Sequence, residues 1–108
     1  MKVVRNSIVP FRGFVALTLW PFIFVRKDMR VDDATMRHED IHARQQKEML
    51  VILFLVWYCL EWLIRLVIYG NAHKAYRMIS FEQEAYLNEH DKDYLKNRRL
   101  FAWMKYIF

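Results

Sequence analysis

The chain has 108 residues, enough for one domain with a modest core and too few for two. Its hydrophobic content of 56% excludes intrinsic disorder, and its single cysteine, Cys59, excludes an internal disulfide or a cysteine-rich zinc site. The net charge of +5 favours an anionic surface as a partner, either a membrane or a nucleic acid. We predict a single domain over residues 1–108.

The first predicted element is a short β-hairpin. Residues 13–25 form an apolar run rich in β-branched and aromatic side chains, interrupted by Pro21, which a helix interior does not accommodate. Two strands that break near Trp20 and Pro21 are therefore expected. Because the charged residues 26–28 stand where a cleavage site would have small residues, no cleavable signal peptide is predicted.

A long helix is predicted next, and its two halves differ in character. The acidic residues 32–33 can cap its start, and no Gly or Pro occurs before Gly70. The first half is polar. The second half, residues 49–69, is apolar except for Glu61 and Arg65, which are spaced to pair with each other.

A second helix is predicted to begin at Ser80, because Ser80 and Gln83 have the spacing of a capping box. Beyond it lies a basic, aromatic C-terminus, residues 97–108. The predicted fold class is α+β and mostly helical. It consists of a short N-terminal β-hairpin, a long active-site helix with an apolar C-terminal half, and a second helix.

The polar half of the long helix carries an H-E-x-x-H motif, formed by His38, Glu39 and His42. Residues four apart lie on one face of a helix, so two imidazoles at this spacing can bind one Zn²⁺. The Glu beside the first His then faces the open position of the metal, where it can take a proton from a bound water. The motif predicts a zinc site with Glu39 as general base.

A third ligand is expected from the second helix. Glu48 lies six residues after His42, about 240° around the long helix, and so points away from the metal. Glu82 and Glu84 are the remaining candidates. Only one of them can face the metal, because helical residues two apart diverge by about 200°.

An H-E-x-x-H helix followed by a later Glu-rich segment resembles the gluzincin metallopeptidases, especially short, membrane-associated bacterial members. Residues 37–46 and 80–86 carry the resemblance, which extends over about residues 18–86. It implies a zinc-dependent peptidase that hydrolyses peptide bonds of a peptide or protein substrate by metal-activated water attack.

The resemblance also implies roles for particular residues. His38, His42 and Glu82 would be the zinc ligands, with Glu84 as the second choice for the third position. Gluzincins often have an acid four residues after the ligand Glu, and Tyr86 stands there in this chain. The family further implies an edge strand that binds the substrate by strand addition, for which residues 22–25 are the counterpart.

Other polar or reactive side chains have less specific expectations. Gln46 lies on the metal side of the helix, where it could hydrogen-bond a ligand or substrate or could remain solvated. Cys59 is expected to be packed and inert. Two histidines lie outside any ligand spacing, and three side chains could stabilise an oxyanion without the sequence selecting one. These are His73 and His90, and Tyr76, Arg77 and Tyr86.

Membrane contact is predicted through residues 49–69 and the basic aromatic C-terminus. About twenty apolar residues suffice to cross a bilayer, and a small domain has little surface with which to cover such a helix. Trp103 and Tyr106 suit a headgroup region. We expect a membrane-associated protein of the bacterial cytoplasmic membrane with no nucleic-acid partner. The sequence leaves open whether the protein spans the membrane, is embedded in it or is soluble. Its topology and oligomeric state are left open.

The sequence thus supports two functions of different classes. The first is a zinc peptidase with Glu39 as general base. The alternative is a non-catalytic, membrane-associated interaction protein whose H-E-x-x-H motif is structural or accidental.

Overall fold

A computed structural model describes residues 2–6, 16–27 and 30–107, and its fold is α+β with a small sheet ahead of the helices, as predicted. Within these residues the strands are β1 (Lys2–Asn6), β2 (Ala16–Leu19) and β3 (Phe22–Arg26). The helices are α1 (Asp33–Met49), α2 (Val51–Tyr69), α3 (Ala72–Met78), α4 (Ser80–Asn88) and α5 (Tyr94–Asn97), followed by a 3-10 helix over Ala102–Tyr106.

The sheet contains the predicted hairpin and one additional strand. β2 and β3 pair antiparallel, with Thr18 opposite Ile23, and the turn between them contains a cis Trp20–Pro21 peptide bond. β1 pairs parallel to β3 and was not predicted. The predicted first strand began before Ala16, and residues 13–15 lie outside the described part of the chain.

The prediction that residues 22–25 form an edge strand is wrong. The strand order is β1-β3-β2, so β3 is hydrogen-bonded on both sides and has no free edge. The physical reason is the addition of β1, which pairs with the side of β3 that the hairpin leaves open. The edge that faces α1 belongs to β2 instead.

The segment predicted as one long helix is divided at Leu50. This residue has φ 62° and ψ 145°, a backbone conformation that residues other than glycine rarely adopt. The backbone N–H of Phe54 donates to the carbonyl of Leu50, so α2 begins directly after the break. The change of direction lets α2 pack beside α1 instead of continuing away from it.

Helix α4 begins at Ser80 as predicted, but a different side chain caps it. The carboxylate of Glu61 accepts hydrogen bonds from the backbone N–H and the hydroxyl of Ser80, so an acid from α2 satisfies the start of α4. Arg65 also donates to Glu61, which confirms the predicted i,i+4 pair. Both side chains are buried.

One cluster of buried apolar side chains lies between α2, α4 and the C-terminal 3-10 helix. It consists of Phe54, Ile79, Phe81 and Trp103, with Tyr58 packed against them. Ile23 and Val25 of β3 and Ile41 of α1 are also buried. Much of the remaining interior is polar, including side chains of α1 and α4. The fold therefore surrounds a buried polar site with a thin apolar layer.

The strain at Leu50 predicts that Leu50→Gly stabilises the fold. Relief of the strained backbone should stabilise the folded state by about 1–3 kcal/mol. The greater conformational entropy of glycine in the unfolded chain offsets about 0.4–1 kcal/mol of this gain. The Leu50 side chain is exposed, so its removal loses little packing. We expect the free energy of unfolding to rise by about 1 kcal/mol in a urea titration. The matched control is Leu53→Gly, an exposed helical position in α2, which should lower it by about 1 kcal/mol. Equal losses in both variants would contradict the strain.

Candidate metal centre

Three potential ligand atoms converge between α1 and α4. Nε2 of His38, Nε2 of His42 and Oε1 of Glu82 are each 3.1 Å from the other two. The two imidazoles lie one turn apart on α1, and Glu82 comes from the first turn of α4. All three side chains are buried, and together they could hold a metal ion.

The size of this triangle suits zinc. Ligand atoms at roughly 2.0–2.1 Å from a tetrahedral Zn²⁺ are about 3.3 Å apart, close to the separations between these three atoms. Two imidazole nitrogens and one carboxylate oxygen are also a donor set that zinc prefers. The arrangement therefore fits the metal in both dimensions and chemistry.

The hydrogen bonds of Gln45 orient the His42 ring for binding a cation. The Gln45 amide NH₂ donates to the carbonyl of Phe81 and to the carboxylate of Glu84, so its oxygen faces Nδ1 of His42, 2.8 Å away. Nδ1 must then carry the proton, because the amide oxygen only accepts. In the neutral ring, the lone pair of Nε2 therefore points into the triangle.

Glu89 does the same for His38. Its carboxylate lies 2.8 Å from Nδ1 of His38, which makes that nitrogen the donor in the neutral ring. Glu89 follows Glu82 by seven residues, or about two helical turns, so the two acids lie on nearly the same side. Tyr86 packs its ring against that of His38, with the two ring centroids 4.4 Å apart.

The electrostatics of the triangle also favour a cation. Burial disfavours charge on both His42 and Glu82, but their mutual attraction outweighs it. The pKa of His42 is raised to about 9, and the pKa of Glu82 is held well below its usual range. Zn²⁺ binding at the triangle would require His42 in its neutral form.

The second oxygen of Glu82 is held by α2. The hydroxyl of Tyr58 donates to Oε2 of Glu82 at 2.7 Å, which leaves Oε1 directed toward the two imidazoles. Tyr58 lies among apolar residues in the sequence, so no local pattern marks it as part of the site. Its position four residues after Phe54, which packs near the His42 ring, places it on the side of α2 that faces the site.

Glu84 lies apart from the two histidines. Its carboxylate accepts from Nε of Arg98 at 2.5 Å and from the hydroxyl of Tyr94 at 2.6 Å. Arg98 also makes two hydrogen bonds of 2.9 Å with Glu48. Of the two candidate acids on α4, the structure therefore brings Glu82 to the histidines and gives Glu84 to Arg98.

Glu39 lies beside the triangle and is fixed by the sheet. Its Oε1 accepts a hydrogen bond of 2.7 Å from the hydroxyl of Thr18 on β2. Both residues line a pocket of about 580 Å³ that also contains His38, His42 and Glu82. The structure thus brings all four residues of the predicted site together in one pocket, and it adds Thr18.

Gln46 holds β2 against α1. Its amide nitrogen donates to the carbonyl of Thr18 at 2.8 Å, and its oxygen accepts from the backbone N–H of Trp20 at 2.6 Å. Both polar ends of the amide are therefore used on the strand, although the side chain also lines the pocket. The alternative of a solvated Gln46 is wrong, because the side chain is buried, and a hydrogen bond from it to a ligand or substrate stays a prediction.

The remaining side chains differ in their distance from the site. Tyr76 lines the pocket, and its hydroxyl lies 2.8 Å from that of Tyr86, whose ring lies under the guanidinium of Arg77. His73 lines the outer part of the pocket, while His90 is exposed. The expectation that Cys59 is packed is wrong, because it lies on the exposed side of α2.

The triangle predicts stoichiometric zinc binding. Purified protein should hold about one zinc per chain, and His38→Ala should lose it, because two ligands hold the ion far more weakly than three. Elemental analysis after dialysis against metal-free buffer measures this directly. His73→Ala, which removes a pocket-lining histidine outside the triangle, should retain the zinc. Absence of zinc from both the unmodified protein and the control would contradict the site.

The contact of Glu89 with His38 predicts a weaker effect on the same affinity. Glu89→Gln removes the charged acceptor from Nδ1 and should raise the zinc dissociation constant about 10–100-fold. Competition with a chromophoric chelator measures the change. Asp91→Asn, an exposed acid two residues later, should change it less than twofold. Equal affinities for both variants would exclude a role for Glu89.

The chain was compared with protein-family models, with curated proteins and with solved structures. None of the three comparisons gives a match. What bears on the function is therefore the geometry of the triangle and its pocket.

Proposed function

We propose that this protein is a zinc-dependent peptidase of the gluzincin type. The observation that carries the proposal is the convergence of three buried ligand atoms in one pocket with the carboxylate of Glu39. His38, His42 and Glu82 would hold the ion, with their outer atoms bound by Glu89, Gln45 and Tyr58 respectively. This second set of contacts is typical of sites that keep a metal in place.

The chemistry follows from which residue could hold or move a proton. Bound Zn²⁺ would supply a Lewis acid that polarises a peptide carbonyl and acidifies a water. Glu39 would accept the proton of the attacking water and transfer it to the leaving amine, while the hydroxyl of Thr18 keeps its carboxylate in position. Burial raises the pKa of Tyr76, so its phenol stays protonated and can donate to a developing oxyanion.

The pocket walls indicate the kind of peptide that fits. Leu17 and Leu19 of β2 form one side, and Phe54, Leu55 and Trp62 of α2 contribute another. Such a lining favours a substrate with apolar side chains next to the cleaved bond. The edge strand β2, in place of β3, could pair with an extended peptide through the backbone groups that Gln46 does not occupy.

The proposed mechanism predicts that Glu39→Gln retains zinc and loses hydrolysis. The amide cannot accept the proton from water, so kcat should fall at least a hundredfold with a quenched-fluorescence peptide library rich in apolar residues. Asp40→Asn changes the neighbouring acid and should retain both zinc and activity. Hydrolysis that survives Glu39→Gln would refute the role of Glu39.

A second observation concerns α2. Val51–Tyr69 is long and apolar enough to cross a membrane, with a mean hydropathy of 2.2, and only 17% of that stretch is buried. We propose that the protein associates with a membrane through this helix. Fractionation without detergent, combined with metal analysis, separates the two functions. A membrane-bound protein without zinc would favour the non-catalytic alternative.

A further inference from the structure

Helix α2 has the reverse of the polarity expected for a helix of a water-soluble domain. The side that faces the protein carries Phe54, Tyr58, Glu61 and Arg65, at spacings of four, three and four residues. The side that faces outward is apolar from one end of the helix to the other. Its exposed residues include Ile52, Val56, Leu60, Leu63, Val67 and Ile68. Ordinary amphipathic helices place their polar side outward.

The contacts of α2 with the rest of the chain extend along most of its length. Phe54, in the first turn of α2, packs its ring against Phe81 of α4. Farther along, Trp62 donates to the carbonyl of Ala72 at the start of α3, and Arg65, in the last third of the helix, donates to the carbonyl of Tyr106. Glu61, between Phe54 and Trp62, binds Ser80. The other helices therefore lie alongside α2, at the same level as its apolar residues.

This arrangement disfavours a helix that crosses the bilayer. If α2 crossed it, the elements beside it would also lie within the hydrocarbon. Those elements carry exposed cations, Arg44 and Lys47 on α1 and Lys74 and Arg77 on α3, and each is costly in hydrocarbon. A helix that lies in the plane of the surface buries its outward side in lipid and leaves these groups outside the hydrocarbon.

The distribution of charge favours the same orientation. Cations lie next to both ends of α2, with Lys47 four residues before its first residue and Lys74 five residues after its last. Lys74 lies over the ring of Tyr69, the last residue of the helix. A crossing helix puts its two ends on opposite sides, whereas a helix in the surface brings both groups of cations to the same anionic headgroups.

We propose that α2 lies in the plane of an anionic bilayer, with its outward apolar side in one leaflet and the cations at both ends at the headgroups. The occupant of the exposed side is lipid, not a second protein chain. This docking rests on the membrane association proposed above for α2, and it does not depend on the peptidase activity.

Depth measurements along α2 test the orientation. In full-length protein with Cys59→Ser, a single cysteine is placed at Ile52, Leu60 or Val67 and labelled with a fluorophore. The labelled protein is bound to vesicles of phosphatidylcholine and phosphatidylglycerol that contain nitroxide lipids of known depth. An in-plane helix gives similar depths at all three positions, about 5–10 Å below the headgroups.

Two other results would overturn the proposal. A crossing helix would place the label at position 60 about 12 Å deeper than the label at position 52. Labels shielded from water but not quenched by any nitroxide lipid would mean that protein, not lipid, covers the helix.

A charge series tests the anionic partner independently. Each neutralised cation near the surface should weaken binding to phosphatidylglycerol vesicles about fivefold, so Lys47→Gln combined with Lys74→Gln should weaken it about 25-fold. Lys92→Gln, an exposed lysine between Asp91 and Asp93, is the matched control and should change it less than twofold. Equal effects of the double variant and the control, or binding that is independent of phosphatidylglycerol, would contradict the role of charge.

Discussion

The burial of the Glu82 carboxylate is the constraint on which much of this structure depends. A buried charge without partners costs several kcal/mol, so each oxygen of this group needs a donor or a cation. Tyr58 serves one oxygen, and the two imidazoles surround the other. Those imidazoles in turn need acceptors at Nδ1, which Gln45 and Glu89 provide. The site is thus one connected network in which each polar group positions the next.

The same network extends to the C-terminus and accounts for the position of its basic residues. The Gln45 amide is oriented by Glu84, and Arg98 neutralises both Glu84 and Glu48. Arg98 is therefore a buried structural cation, although the sequence placed it in a basic tail expected at a membrane. Trp103 from the same tail is also buried, in the core. The C-terminal segment closes the fold around the site.

The sequence predicted the features that depend on local patterns. The hairpin follows from β-branched residues around Pro21, the start of α4 from Ser80, and the pair of histidines on one face from helical periodicity. The break at Leu50 could not be predicted, because a non-glycine residue with positive φ is imposed by tertiary packing. Strand β1 and the contact of Glu89 with His38 likewise depend on partners distant in the sequence, for which one sequence contains no local pattern.

The polar interior and the apolar exterior have a common cause. A chain of this size can enclose only a limited volume, and here histidines, glutamines and glutamates occupy much of it. Apolar residues that would form the core of a soluble domain are therefore displaced to the outward side of α2. Glu61 and Arg65 face inward on the same helix, because only there do they find partners. Among the described residues, the polar interior thus leaves the outward side of α2 without apolar packing, and a lipid leaflet against α2 would provide it.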